Sequence, residues 1–147
     1  MAASGRSRCP INLAVELFGD RWTLLILRDI VFAGRRHFRE LLRGSDEGIT
    51  SSVLADRIDR LIDAGVLTRA DDPAHKQKVV YSLTSSGIEL VPVLAAIGDW
   101  GATHCPADPD KSARARDLHY EMPESWAALM SRLRAEHLQS GAAEVRF

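Results

Sequence analysis

Arg35, Arg36, Arg39 and Arg43 fall within nine residues and are opposed there only by Glu40. A guanidinium presents a planar fork of donors that fits phosphate oxygens, so the cluster suits a polyanion. Beyond it, Thr50-Ser51-Ser52 opens a segment that continues through Ala55 and Asp56. Hydroxyls that donate or accept, a methyl group, and a carboxylate able to accept from the cytosine amino group are the groups that read base edges in a DNA major groove. A second basic run, His75-Lys76-Gln77-Lys78, follows further along.

Such chemistry works only if rigid elements hold it in place. Ile11, Ala14, Val15, Leu17 and Phe18 mark a first helix from Pro10 that Gly19 interrupts. Asp20 is suited to cap a second helix over 21–32, too apolar for a surface helix and therefore the buried centre, with Gly34 as its stop. A short helix over 36–43 turns Phe38, Leu41 and Leu42 inward. Thr50 then caps a helix in which Leu54, Ile58, Leu61, Ile62 and Gly65 form one stripe, so Ser52, Ala55, Asp56, Asp59 and Arg60 face outward. Residues 66–69 and 78–83 read as strands joined by an extended polar loop over 70–77. This order predicts a mainly α fold with a small β-hairpin wing, a winged helix-turn-helix.

In that fold the second helix of the motif presents its N-terminal turns to base edges. Ser51, Ser52, Ala55 and Asp56 are the expected base readers. Arg35, Arg36 and Arg39, aided by the positive end of the short helix, are the expected phosphate binders, with Arg60 beside them. His75, Lys76 and Lys78 would touch DNA from the wing. The reading helix itself carries Asp56, Asp59 and Asp63 against Arg57 and Arg60, one net negative charge. Asp56 and Arg60 are four apart and are expected to pair.

After Thr84 or Ser85 a long helix extends to Gly101, with Pro92 admitted at a first turn or a kink. Its apolar surface is wider than one stripe, which predicts a partner helix from a second copy, with Val91, Leu94, Ile97 and Trp100 in the interface. Residues 105–110 read as a linker. An amphipathic helix over 123–139 carries Trp126, Met130, Leu133 and His137 on one side. The expected organisation is a flexible leader (1–8), a winged-helix and dimerisation domain (9–104), and a linker with a C-terminal helical extension (105–147) whose last residues fray.

Composition narrows the function classes. The chain has 147 residues, 46% hydrophobic and 27% charged, with a formal net charge of −1, so attraction to DNA must come from local patches. No continuous apolar span of membrane length occurs and the leader has no apolar core, so a cytoplasmic protein with no membrane partner is expected. Two cysteines are too few for a disulfide scaffold. No Gly-rich phosphate loop, His-Glu-x-x-His or nucleophile elbow is present, so an enzyme is not expected, nor any cofactor. His104, Cys105 and His119 lack zinc spacing, so no metal is expected. Cys9 precedes the first helix, whose N-terminus, with Arg8, would lower the thiol pKa. Trp22 and Trp100 suit core or interface anchors, or the walls of a small-molecule effector pocket. The alternative class is a winged-helix module that docks on proteins and uses its acidic helix without sequence-specific DNA binding.

The strings Cys9-Pro10, Gly19-Asp20-Arg21-Trp22-Thr23-Leu24-Leu25-Ile26-Leu27-Arg28, Arg36-His37-Phe38-Arg39-Glu40-Leu41 and Ile49-Thr50-Ser51-Ser52-Val53-Leu54 occur in this order. Residues 61–67, Val80-Tyr81-Ser82-Leu83-Thr84 and Gly98-Asp99-Trp100-Gly101 follow. Over roughly residues 9–104 the chain resembles the HxlR-type winged-helix regulators of bacteria, related in architecture to the MarR-like group. The resemblance implies a homodimeric, DNA-binding transcriptional regulator. A twofold dimer would place its reading helices about 34 Å apart on a near-palindromic operator. It also implies a role for Cys9, since some members carry a redox-sensing thiol at this place. The extension beyond residue 108 departs from the family pattern, and nothing is carried over to it.

Overall fold

The computed structural model describes residues 7–120 and 124–138. Most of the expected leader, the expected frayed end, and positions 123 and 139 of the predicted last helix lie outside the described residues. The chain forms two compact units, one ending at Ala64 and the other beginning at Gly65.

The first unit holds four helices: α1 (Pro10–Phe18), α2 (Thr23–Ala33), α3 (Phe38–Arg43) and α4 (Ser51–Asp63). Pro10 sits at the start of α1, where its missing N–H costs nothing. Helix α1 buries none of its residues, and Ile11, Leu13 and Val15 are exposed. The N-cap position of α2 falls on Trp22 rather than Asp20, but Asp20 just ahead of it holds the helix start: its carboxylate accepts from the Trp22 N–H at 2.8 Å, the Thr23 N–H at 3.0 Å and the Thr23 hydroxyl at 2.5 Å. These bonds close a turn over 20–22, so α2 begins two residues later than predicted. Ile26, Leu27, Ile30 and Val31 then form the centre of the unit. Gly34, at φ 66°, ends the helix in a left-handed conformation that glycine adopts without a Cβ penalty.

Helix α3 is shorter than predicted and begins at Phe38, because His37 is extended. Arg35 and Arg36 therefore precede it. Leu41 is buried, while Phe38 and Leu42 are half-buried. The Thr50 hydroxyl accepts from the Val53 N–H and caps α4, and Leu54, Ile58 and Leu61 are fully buried at the predicted spacing.

In the second unit, β1 (Leu67–Asp72) and β2 (His75–Leu83) pair antiparallel from Leu67–Leu83 out to Asp72–His75, with an irregularity between Asp71 and Asp72. The predicted long wing loop is thus a two-residue turn, Pro73-Ala74. The Asp72 carboxylate accepts from the Ala74 N–H at 2.8 Å and tightens it. The Arg69 guanidinium lies 5.8 Å from the centre of the Tyr81 ring across the pair.

The predicted long helix is two. Helix α5 (Ser85–Ile88) is capped by Thr84, and α6 (Val91–His104) starts afresh after Glu89 and Leu90. Pro92 has no N–H and its ring would clash with a helical carbonyl four residues back, so it is housed in the first turn of a new helix. Gly87 lets α5 approach the strand entry: a Cβ there would lie 2.5 Å from the Val66 carbonyl oxygen. The linker is shorter than predicted, because Asp108 caps a further helix, α7 (Pro109–Tyr120), by accepting from the Lys111 N–H at 3.0 Å. Helix α8 (Glu124–His137) turns Leu133 and His137 into the core, with Trp126 and Met130 half-buried. The His137 Nδ1 accepts from the Leu83 N–H at 2.8 Å, which ties the C-terminal extension to the end of β2. No helix among the described residues is long and apolar enough to cross a membrane.

Candidate nucleic-acid interface

The buried stripe of α4 decides what its other face offers. With Leu54, Ile58 and Leu61 inward, Ser51, Ser52, Ala55, Asp56, Asp59 and Arg60 are all exposed. The expected Asp56–Arg60 pair is not formed. Arg57 takes Asp56 instead and also donates through Nε to the Asp20 carboxylate at 3.0 Å. Arg60 turns the other way, its Nη2 lying 3.5 Å from the Glu16 carbonyl oxygen. Burial pushes the Asp20 carboxyl up. The Thr23 hydroxyl, Arg57 and the Trp22 and Thr23 backbone N–H groups more than offset this and hold it at about 2. Arg57 was missed as a site residue in the sequence because its partner lies 37 residues away.

The basic cluster is less uniform than its composition. Arg35 is committed inward: its Nη1 donates to the Gly44 carbonyl at 2.8 Å and lies 3.3 Å from the Asp29 carboxylate. The Arg36 backbone N–H donates to Glu40 at 3.1 Å, and His37 Nδ1 lies 3.1 Å from the other Glu40 oxygen. Burial pushes the Glu40 carboxyl up, but these partners more than compensate and its pKa is lowered overall. Glu40 thus bonds to backbone just ahead of α3. Arg39 and Arg43 stand exposed, whereas Arg36 is half-buried. In the second unit His75, Lys76 and Lys78 are exposed, on strand β2 rather than in a loop.

Cys9 is exposed at the N-terminus of α1. Backbone N–H groups of Asn12 and Ile11 point at its sulfur and lower the thiol pKa. The cause is the helix end. Cys105 is exposed as well. Trp100 rests against His104, ring centres 5.0 Å apart. Among the described residues no three His, Cys, Asp or Glu side chains come together as a metal site. The side chain of His119 is outside the described set.

The expected interface residues divide. Val91 and Leu94 are buried within their own unit, while Ile97 and Trp100, joined by Val93, are exposed at 50%, 63% and 40%. Trp22 is half-buried under the Arg21 guanidinium, 4.8 Å from its ring. An open cleft of about 500 Å³ lies on α1 and α4, lined by Leu13, Glu16, Leu17, Arg60 and Ala64.

Residues 17–109 match the model of the HxlR-like helix-turn-helix family. The chain belongs to that family. An HTH-type transcriptional regulator of Mycobacterium tuberculosis is 34% identical over 96 residues, which cover 65% of this chain and 59% of that protein's length. The HTH-type transcriptional regulator YodB of Bacillus subtilis is 30% identical over 106 residues, covering 71% of this chain and 93% of YodB. The reduced form of YodB superposes with a TM-score of 0.56 over 69% of this chain and all of the other, and its diamide-treated form with 0.52. The redox regulator HypR in its reduced form is 27% identical, with a TM-score of 0.54 over 64% of this chain and 91% of HypR. The HxlR-like match stops at residue 109, so α8 lies beyond it.

Proposed function

We propose that this chain is a DNA-binding transcriptional regulator that acts as a homodimer on a near-palindromic operator. The observation that carries the reading is α4: a capped helix whose first two turns present Ser51, Ser52, Ala55 and Asp56 to solvent within an HxlR-like helix-turn-helix. Relatives named as transcriptional regulators support it. Arg39, Arg36 and Arg43 supply phosphate contacts on one unit, and His75, Lys76 and Lys78 supply them on the other. Arg35 contributes by holding backbone, and Arg60, exposed on α4, would have to leave the Glu16 carbonyl to reach a phosphate. The exposed apolar residues of α6, Val93, Ile97 and Trp100, receive the second copy.

Cys9 is the responsive group in this reading. A lowered thiol pKa at an exposed helix end raises the thiolate fraction at neutral pH, and the thiolate is what oxidants attack. The comparison with HypR and with diamide-treated YodB supports the same direction.

Selection of binding sites from random duplexes, with and without diamide, tests these statements together. Recovered sites should be inverted repeats with half-sites one helical turn apart, and diamide should abolish recovery for the native chain but not for Cys9→Ser. Recovery of no preferred sequence would overturn sequence reading, and equal diamide sensitivity of Cys9→Ser would overturn the thiol's role.

A further inference from the structure

The turn between α3 and α4 delivers the reading helix, yet its own bonds are weak: Gly48 N–H reaches Ser45 O at 3.3 Å and Ile49 N–H reaches the Ser45 hydroxyl at 3.2 Å. Tethers from α2 hold it from outside. Arg28 donates through Nη1 and Nη2 to the two carboxylate oxygens of Glu47, at 2.7 and 2.9 Å, in a bidentate pair. Its Nε donates to Asp29 Oδ1 at 2.9 Å, and Asp29 Oδ2 lies 3.3 Å from Arg35 Nη1, which donates to the Gly44 carbonyl. Asp29 is only 6% exposed, so one buried carboxylate orients two guanidiniums that grip the turn at Gly44 and at Glu47. Gly44 fits this arrangement sterically, since a Cβ there would come 2.5 Å from the Arg35 guanidinium carbon.

We propose that Asp29, Arg28, Arg35 and Glu47 are positioning residues for DNA reading: they fix the helix-turn-helix turn and thereby the placement of Ser51 and Ser52. Bidentate guanidinium–carboxylate pairs are directional, whereas apolar contacts tolerate sliding. Partly buried ion pairs contribute little net stability but specify geometry, which is the use this position has for them. Ser51 begins four residues beyond Glu47, so a shift of the turn moves the reading hydroxyls with it, and base contacts fail when displaced by a fraction of an ångström. Phosphate contacts from flexible arginines tolerate the same shift.

This inference rests on the DNA-binding reading above and deepens it. The test uses the full chain carrying Glu47→Gln, which keeps shape and removes the charge, and Arg28→Lys, which keeps charge and removes the fork. Affinities are measured on a selected operator and on random duplex of equal length, with amide hydrogen exchange of residues 48–52 read in parallel. Both variants should lose about tenfold on the operator and less than about twofold on random duplex, with faster exchange of the turn amides and cooperative unfolding retained. Asp29→Glu, which keeps the charge, should restore more operator affinity than Asp29→Asn. Equal losses on both duplexes, or unchanged operator affinity with unchanged exchange, would overturn the positioning role while leaving DNA binding intact. Absence of salt-dependent duplex binding by the native chain overturns the DNA reading itself, and the positioning of a DNA reader with it.

Discussion

Replacing His137 measures how firmly the C-terminal extension is built into the second unit. Its Nδ1 accepts the Leu83 N–H at 2.8 Å, and both residues are buried, at 5% and 1% exposure. His137→Ala leaves that N–H with no acceptor in a site closed to water, which costs about 1–3 kcal/mol, and the lost ring adds a cavity contribution. A total near 2–4 kcal/mol is a substantial fraction of the roughly 5–15 kcal/mol that holds a domain together. For a chain of this length it lowers the melting temperature by roughly 5–15 °C. His137→Asn places an amide oxygen near the Nδ1 position and should recover about 1–2 kcal/mol of the loss, although it removes ring volume. Thermal unfolding by circular dichroism gives the stabilities, and exchange of the Leu83 amide reports the bond directly. Equal destabilisation by Ala and Asn, with equal Leu83 exchange, would show that the ring contributes by packing alone and would refute the hydrogen-bond reasoning.

Three further outcomes are expected. Arg39→Ala should weaken binding to all duplexes alike and lower the steepness of the salt dependence by about 0.9 per protomer, checked by titrations at several salt concentrations. Asp20 is depressed to about 2 from an ordinary 3.8, so its contribution is complete above the ordinary value and is lost as pH falls toward 2. Asp20→Asn should therefore cost about 1–2 kcal/mol at pH 7, after allowance for solvent on its open side, with the gap to the native chain shrinking between about pH 4 and about pH 2 in denaturant titrations. Gly87→Ala should cost about 1–3 kcal/mol through contact with the Val66 carbonyl, read as a fall in melting temperature.

The fold class was legible because periodicity and caps agree where the motif lies. Thr50 followed by apolar residues at 54, 58 and 61 leaves one arrangement for α4. Elements lacking an apolar stripe were harder to read. Helix α7 starts Pro-Asp-Lys and is mostly charged or small, so it reads as linker until Asp108 is seen to cap it. The outer wing, Ala70 to Asp72 on one strand and His75 to Gln77 on the other, is almost wholly exposed and shows no alternation, so it looked like loop. Among candidate site residues, local spacing placed Ser51, Ser52, Ala55 and Asp56 on the open face, because helical geometry alone determines that. It could not foresee which arginines turn inward. Arg57 and Arg35 follow Asp20 and Asp29, carboxylates distant in sequence or across a helix end. One signal was present: Arg28-Asp29 interrupts an otherwise apolar buried helix, and charges in such a place must find partners.

The open face of α6 bears on stability through the proposed homodimer. If a second copy covers Ile97 and Trp100, unfolding becomes a reaction of two chains released from one assembly. Its midpoint then climbs with protein concentration, each tenfold increase adding about 1.4 kcal/mol per assembly. Scarcity of the chain becomes a destabilising condition in its own right. A cell holding few copies would keep a less durable protein than one holding many, whatever the DNA it meets.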